Sequence, residues 1–560
     1  MPDAPLTRNA ELIVHNARVL TMDGENPRAE AVAIRDGQIA LVGGDADVLA
    51  HRGPETRVID AHGATVLPGF IEAHMHLFSG AAELDQLQLM GVHGFEVLQK
   101  AVRDYAATKP DAKLLQAQGA DYTILSADER VTRHHLDRII PDRPFAMSAP
   151  DHHTMWANTA ALEASGLLHG REVGPGNEVV MGADGLAEGE LREGEAFGPI
   201  LEFAGETRAR LGLSTGGEPD PAPSETERAH DRETLKRGLE WCAQHGITSL
   251  QNMDGNLYTL ELLREIEEAG DLTVRVQVPF HFKNFMQLDA LEKASRMKDR
   301  YAGEWLKSGI VKVFYDGVLD SWTAVMTEPY ADRPDWVGEP LFSPEKFKAL
   351  AVEIDRRGLQ IAVHAIGDGA VHAVLDGYEA AREKNGARDS RHRIEHIEVV
   401  LKDDVPRFRE LGVIASMQPP HPPGSMGLPL EPTVSRIGRE RWPLAYAWRT
   451  LLDAGAKLCF ASDWPVSPID PLSGVQAAVT RRKWQESDPD QSVSLAEALE
   501  FYTAGGAYAE FAEHRMGKIR RGFLADLVIL DGDLESAEPE AIASVRPRLT
   551  ICGGRITFGG

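Results

Sequence analysis

Apolar and polar positions divide this chain into three textures. Over residues 1–65 the apolar runs are short and partly alternate, the pattern of half-buried strands. Glu11-Leu12-Ile13-Val14-His15-Asn16-Ala17-Arg18-Val19-Leu20 is followed by Glu30-Ala31-Val32-Ala33-Ile34-Arg35, a turn at Asp36-Gly37, and Gln38-Ile39-Ala40-Leu41-Val42-Gly43. Two such runs joined by Asp-Gly are a strong hairpin signal. The same texture returns in Ala525-Asp526-Leu527-Val528-Ile529-Leu530 and in Arg548-Leu549-Thr550-Ile551-Cys552 before Gly553-Gly554. The two ends, 1–65 and 516–560, are expected to build one small β-sandwich.

The middle of the chain changes period. Eight candidate strands have cores at 69–76, 247–252, 274–280, 310–314, 360–364, 392–396, 413–417 and 458–462. Amphipathic stretches separate most of them, as where Phe347, Leu350, Ala351 and Ile354 recur at helical spacing. Eight strands alternating with helices predict an α/β fold, a (β/α)8 TIM barrel formed by 66–83 and 226–515. The count requires residues 84–225 to be a large insertion after the first barrel strand. Its stretch 170–225, with Gly212, Gly216, Gly217, Pro219, Pro221 and Pro223, reads equally as a surface loop or as a lid.

Composition narrows the partners. The net charge of -27 over 560 residues disfavours nucleic acid and anionic membrane. Cys242, Cys459 and Cys552 are too few and too scattered for a disulfide framework. Met1 to Asn9 carries no basic then apolar leader, and no run of about 18 apolar residues occurs. A cytoplasmic enzyme acting on a small molecule is the expectation, with assembly as a homodimer left open.

The candidate chemistry clusters at the predicted strand ends, where barrels of this type place their active sites. His74-Met75-His76 puts two imidazoles on one strand face, able to share a metal ion. Later strand ends supply Lys312, His364, His396 and Asp463. Lys312 lies in Gly309-Ile310-Val311-Lys312-Val313-Phe314, where burial penalises its charge. A neutral amine there can add carbon dioxide and form a carbamate able to bridge two cations; the alternative is a lysine that snorkels or pairs with Asp316.

These motifs, in order, resemble the amidohydrolase superfamily and its YtcJ-like branch, which includes N-substituted formamide deformylase. The resemblance rests on Val66-Leu67-Pro68-Gly69-Phe70-Ile71-Glu72-Ala73-His74-Met75-His76, on Asp151-His152-His153-Thr154-Met155-Trp156-Ala157-Asn158, and on Val311-Lys312-Val313-Phe314-Tyr315-Asp316-Gly317. It continues through His364-Ala365-Ile366-Gly367-Asp368, Arg393-Ile394-Glu395-His396, Ser462-Asp463-Trp464-Pro465 and Gly517-Lys518-Ile519-Arg520. It implies one or two divalent metal ions, zinc by default, with His74, His76 and Asp463 on one and His364 and His396 on the other. Carboxylated Lys312 would bridge them, and Asp463 would act as general base and then acid. Hydrolysis of a carbon–nitrogen bond, most simply an amide, follows. Deaminase, lactonase and decarboxylase chemistry are the alternatives, with a non-catalytic binding protein a distant one. Gly367 stands where superfamily deaminases carry glutamate, which counts against deamination. His153, Asn158, Gln418, His421 and Trp464 are candidate substrate contacts. Trp322, in Asp320-Ser321-Trp322-Thr323-Ala324 where relatives carry an arginine, is a sixth and suggests a neutral or aromatic N-substituent.

Overall fold

The computed structural model describes residues 9–126, 128–150, 152–174, 177–205 and 217–559. Parallel strands in chain order dominate the centre. They are β1 (Phe70–Met75), β2 (Ile247–Asn252), β3 (Arg275–Gln277), β4 (Phe280–His281), β5 (Leu306–Lys307), β6 (Ile310–Phe314), β7 (Gln360–Ala365), β8 (Arg393–His396), β9 (Ile414–Met417) and β10 (Lys457–Phe460). One sheet has the order β5-β3-β2-β1 and the other β4-β6-β7-β8-β9-β10, with parallel pairing throughout. Beyond the two end strands, Asp463 N donates to His74 O at 3.0 Å and His76 N to Trp464 O at 2.8 Å.

One expected strand is interrupted: the third breaks at Val278-Pro279, because proline has no N–H for a ladder, and its halves pair on different sheets. The fourth forms as expected over Ile310–Phe314, and a short strand, Leu306–Lys307, precedes it across Ser308-Gly309, where Gly309 has φ +141°. Helices between the strands bury the stripes that the period marked: Phe347, Leu350, Ala351 and Ile354 are all buried in Pro344–Arg356, which Ser343 caps. Close approaches use glycine where no side chain fits. A Cβ on Gly255, just past β2, would stand 1.6 Å from the Pro279 carbonyl oxygen.

Both chain ends contribute to two further sheets. Ala10–His15, Ala31–Arg35, Gln38–Gly43 and Arg52–Asp60 form one; Arg18–Leu20, Arg28–Ala29, Thr65–Pro68, Leu527–Leu530, Pro547–Cys552 and Arg555–Phe558 form the other. Leu12, Val14, Ile34, Val66, Leu527, Ile529 and Ile551 from the two share one core.

Residues 84–225 hold a six-stranded mixed sheet running from Leu87–Gln88 to Glu178–Met181, with its own apolar clusters. The region read as loop or lid contains strands Glu178–Met181 and Ala187–Arg192 and helix Gly194–Ala204. Residues 175–176 and 206–216, also within that reading, and Asp151 lie outside the described residues. Among the described residues no helix is long and apolar enough to cross a membrane.

Candidate metal centre

The C-terminal ends of the central strands open into a cavity of about 1240 Å3. His74, His76, His364, His396, His421 and Asp463 all line it. Two groups of these side chains present ligand atoms close enough to share an ion: His74, His76 and Asp463, and His396, His421 and Asp463.

The period-two strand places His74 and His76 on one face, as expected. His74 Nε2 lies 3.3 Å and His76 Nε2 3.1 Å from the same carboxylate oxygen, Asp463 Oδ1. That oxygen is buried and has no hydrogen-bond partner among the described residues. Each histidine is oriented through its other nitrogen, which leaves Nε2 as the inward atom. His74 Nδ1 donates to Glu395 Oε2 at 2.6 Å, His76 Nδ1 to Asp254 Oδ2 at 2.8 Å, and His396 Nδ1 to Gln418 Oε1 at 2.9 Å. Imidazoles locked by carboxylate or amide acceptors are the usual supporting shell of a metal site.

His396 and Asp463 have φ of 77° and 59°, a left-handed backbone that non-glycine residues seldom adopt. In both cases the strand turns at its end and re-aims the side chain. His364 abuts His396, ring centroids 4.5 Å apart, but its Nε2 donates to the Gly317 carbonyl at 3.0 Å, so only Nδ1 keeps a lone pair. His421 takes the place beside His396 in the second group, with Nε2 3.9 Å from Asp463 Oδ2.

Lys312 is fully buried, its Nζ 3.4 Å from His74 Nε2. Burial pushes its ammonium down to about 8. It does not pair with Asp316, whose carboxylate instead accepts from the backbone N–H groups of Val325, Ile366 and Gly367. Burial also lowers His74, to about 4. At His76 burial works the same way, but Asp254 and Asp463 outweigh it and raise the imidazole to about 10. For Asp463 burial alone would raise the carboxyl; His74, His76 and His396 hold it well below the usual range.

The donor set fits a divalent cation. A bare buried carboxylate oxygen faces two imidazole nitrogens whose far sides are anchored, and a cation satisfies all three at once.

Four expected substrate contacts lie off the cavity wall. Asn158 is wholly buried; its amide donates to Ile140 O and Arg143 O and accepts from Phe145 N and Ala161 N, so it ties the insertion together. Trp322 is held between the guanidiniums of Arg333 and Arg436, each 3.7 Å from its ring, and donates Nε1 to Asp332. Gln418 accepts from His396 through Oε1, and its buried Nε2 has no hydrogen-bond partner among the described residues. Trp464 packs against Gly80, where an added Cβ would meet its ring at 2.5 Å. His153 and His421 do line the cavity, His153 with its Nδ1 2.9 Å from Glu193.

Sequence reasoning left several residues without a role. Glu395 was visible only as part of a motif, and Asp254 only as an aspartate before glycine at the end of β2. Neither has a local signal, because its partner lies on another strand. Glu72, two residues before His74, is buried, accepts from Ser462 N and Oγ at 2.9 Å, and is raised by burial to about 8.

Comparison with known proteins agrees with this geometry. The family model described as "Amidohydrolase family" matches residues 57–558. YtcJ of Bacillus subtilis is 28% identical over 98% of this chain and 99% of its own length. N-substituted formamide deformylase of Arthrobacter pascens is 27% identical over 94% of each. The crystal structure of an uncharacterized metal-dependent hydrolase from Pyrococcus furiosus is 28% identical, covers 94% of this chain and 99% of that one, and superposes with a TM-score of 0.69. With a family match over most of its length and relatives similar from end to end, the chain belongs to the amidohydrolase family, in its YtcJ-like branch.

Proposed function

We propose that this chain is a metal-dependent hydrolase of a carbon–nitrogen bond in an amide. One observation carries the reading: His74 and His76 converge through Nε2 on a buried, otherwise unpaired oxygen of Asp463. A divalent ion held by His74, His76 and Asp463 supplies Lewis acidity toward a water and a carbonyl. Zinc is the default, and one or two ions suit the two ligand groups. The two central sheets are proposed to act as one closed (β/α)8 barrel, supported by the hydrogen bonds that join the ends of β1 and β10.

The rest follows from the protein's own groups. Asp463, kept ionised by three histidines, takes a proton from the attacking water and returns it to the departing nitrogen. Glu395, Asp254 and Gln418 hold the imidazoles in one tautomer and orientation. The cavity walls from the insertion, His153, Glu193 and Phe197 among them, exclude water from the reacting carbonyl. Lys312, beside His74 and depressed toward neutrality, is proposed to carry a carboxyl group from carbon dioxide; its Nζ bonds to the carbon and releases one proton, giving an anion beside His74.

Elemental analysis of the purified protein, with a panel of amides, formamides, lactams and lactones, tests the reading. Bound divalent metal and amide turnover that is lost to a chelator and restored by metal are expected. Turnover that survives complete metal removal refutes it.

A further inference from the structure

β4 (Phe280–His281) ends at the cavity, and Lys283 follows two residues later. Lys283 is the only lysine or arginine among the described residues that line it. It is partly buried, and its ammonium forms no ion pair or hydrogen bond with any described residue. His281 is 3% exposed, and neither of its ring nitrogens is hydrogen-bonded to a described residue. Its plane is fixed by stacking on Phe314, centroids 5.2 Å apart.

The inner carboxylates of the same cavity are already engaged. Asp254 is 2.8 Å from His76, Glu193 2.9 Å from His153, and Glu398 accepts from the Tyr446 hydroxyl at 2.9 Å. Asp316 has its three backbone donors. Apart from Asp463 Oδ1, which faces the metal ligands, what this strand end leaves unspent is the donor capacity of Lys283 and His281. Buried polar groups are normally satisfied, and a ligand acceptor would satisfy these. Carboxylates also line the wall, so an anion is held only where the Lys283 ammonium meets it directly, with charges farther than roughly 10 Å largely screened.

We propose that Lys283, with His281, forms a subsite for a carboxylate on the substrate, so that the preferred amide carries an anionic arm lying along the third strand. The proposal rests on the cavity being the amide site. It replaces the neutral N-substituent suggested by Trp322, a residue that lies off the wall. Burial lowers the Lys283 ammonium to about 8, which leaves it charged at neutral pH. A neutral His281 imidazole has one N–H to donate.

Calorimetry on metal-loaded protein, with N-acetylphenylalanine and its carboxamide as probes, tests this apart from turnover. Wild type should bind the carboxylate at least about tenfold more tightly than the carboxamide. Lys283→Met should abolish that preference, Lys283→Arg should keep most of it, and His281→Phe, which preserves the ring stack, should reduce it. Equal binding of the two probes by wild type, or no binding of the carboxylate, overturns the subsite. An undiminished preference in Lys283→Met also overturns it, by placing the carboxylate on the metal. Parallel hydrolysis assays on the same samples report separately whether the amidase reading holds.

Discussion

Replacing Lys312 by methionine should make the metal-free protein more stable while abolishing its metal site. Lys312 is fully buried on β6, and burial moves its ammonium from an ordinary 10.5 to about 8. A difference of about 2.5 pH units at about 1.4 kcal/mol each is about 3 kcal/mol spent on keeping the charge in the folded chain at pH 7. Methionine is unbranched and of similar length, and needs no such solvation. Glu395 keeps Arg393 and His74 as partners after the change, so no carboxylate there is stranded. Between about 8 and 10.5 the unfolded chain holds the proton that the folded chain has released, so wild-type stability rises with pH across that window. The variant lacks the group. Urea unfolding of chelator-treated protein should therefore show Lys312→Met more stable by about 2–3 kcal/mol at pH 7, narrowing to about 1 kcal/mol at pH 9.5. Metal content and hydrolysis should be lost in the same variant. A less stable variant at pH 7, or a gap that ignores pH, refutes the argument that Lys312 is retained at a cost to stability.

Other perturbations separate the roles of neighbouring residues. Asp463→Asn should keep part of the metal and lose about 10²–10⁴-fold in kcat; turnover at the wild-type rate excludes it as the base. Asp254→Asn weakens the acceptor that orients His76 and should lower metal affinity about tenfold or more in competition with a chelator; unchanged affinity argues that the His76 anchor is dispensable. Gly255→Ala places a Cβ 1.6 Å from the Pro279 carbonyl and should cost about 1–3 kcal/mol, read as a lower unfolding midpoint; an unchanged midpoint contradicts the close approach of the two strand ends.

The candidate site was legible in the sequence where chemistry and period coincide. His74 and His76 declared themselves because a strand repeats every two residues, and His396 and Asp463 because each stands at the end of a candidate strand. Lys312 stood out as a cation among Ile310, Val311, Val313 and Phe314. The period of the apolar positions likewise separated helix from strand in the centre and marked both β-rich ends. These are local properties, governed by backbone geometry and by the cost of burying charge.

Tertiary structure alone decided which atoms meet. Glu395 anchors His74 and Asp254 anchors His76 across strands more than a hundred residues apart, a matter of register that no local pattern encodes. Asn158, Trp322, Gln418 and Trp464 carry polar or aromatic groups that suit a binding wall, yet their neighbours claim them for capping, stacking and packing. His281 and Lys283, unremarkable in sequence, gain interest because folding leaves their nitrogens without a hydrogen-bond or ion-pair partner among the described residues inside a cavity. A residue type fixes what a side chain can bond to. Only the folded chain settles which of those bonds remain for a substrate, because that depends on every group brought within hydrogen-bonding distance.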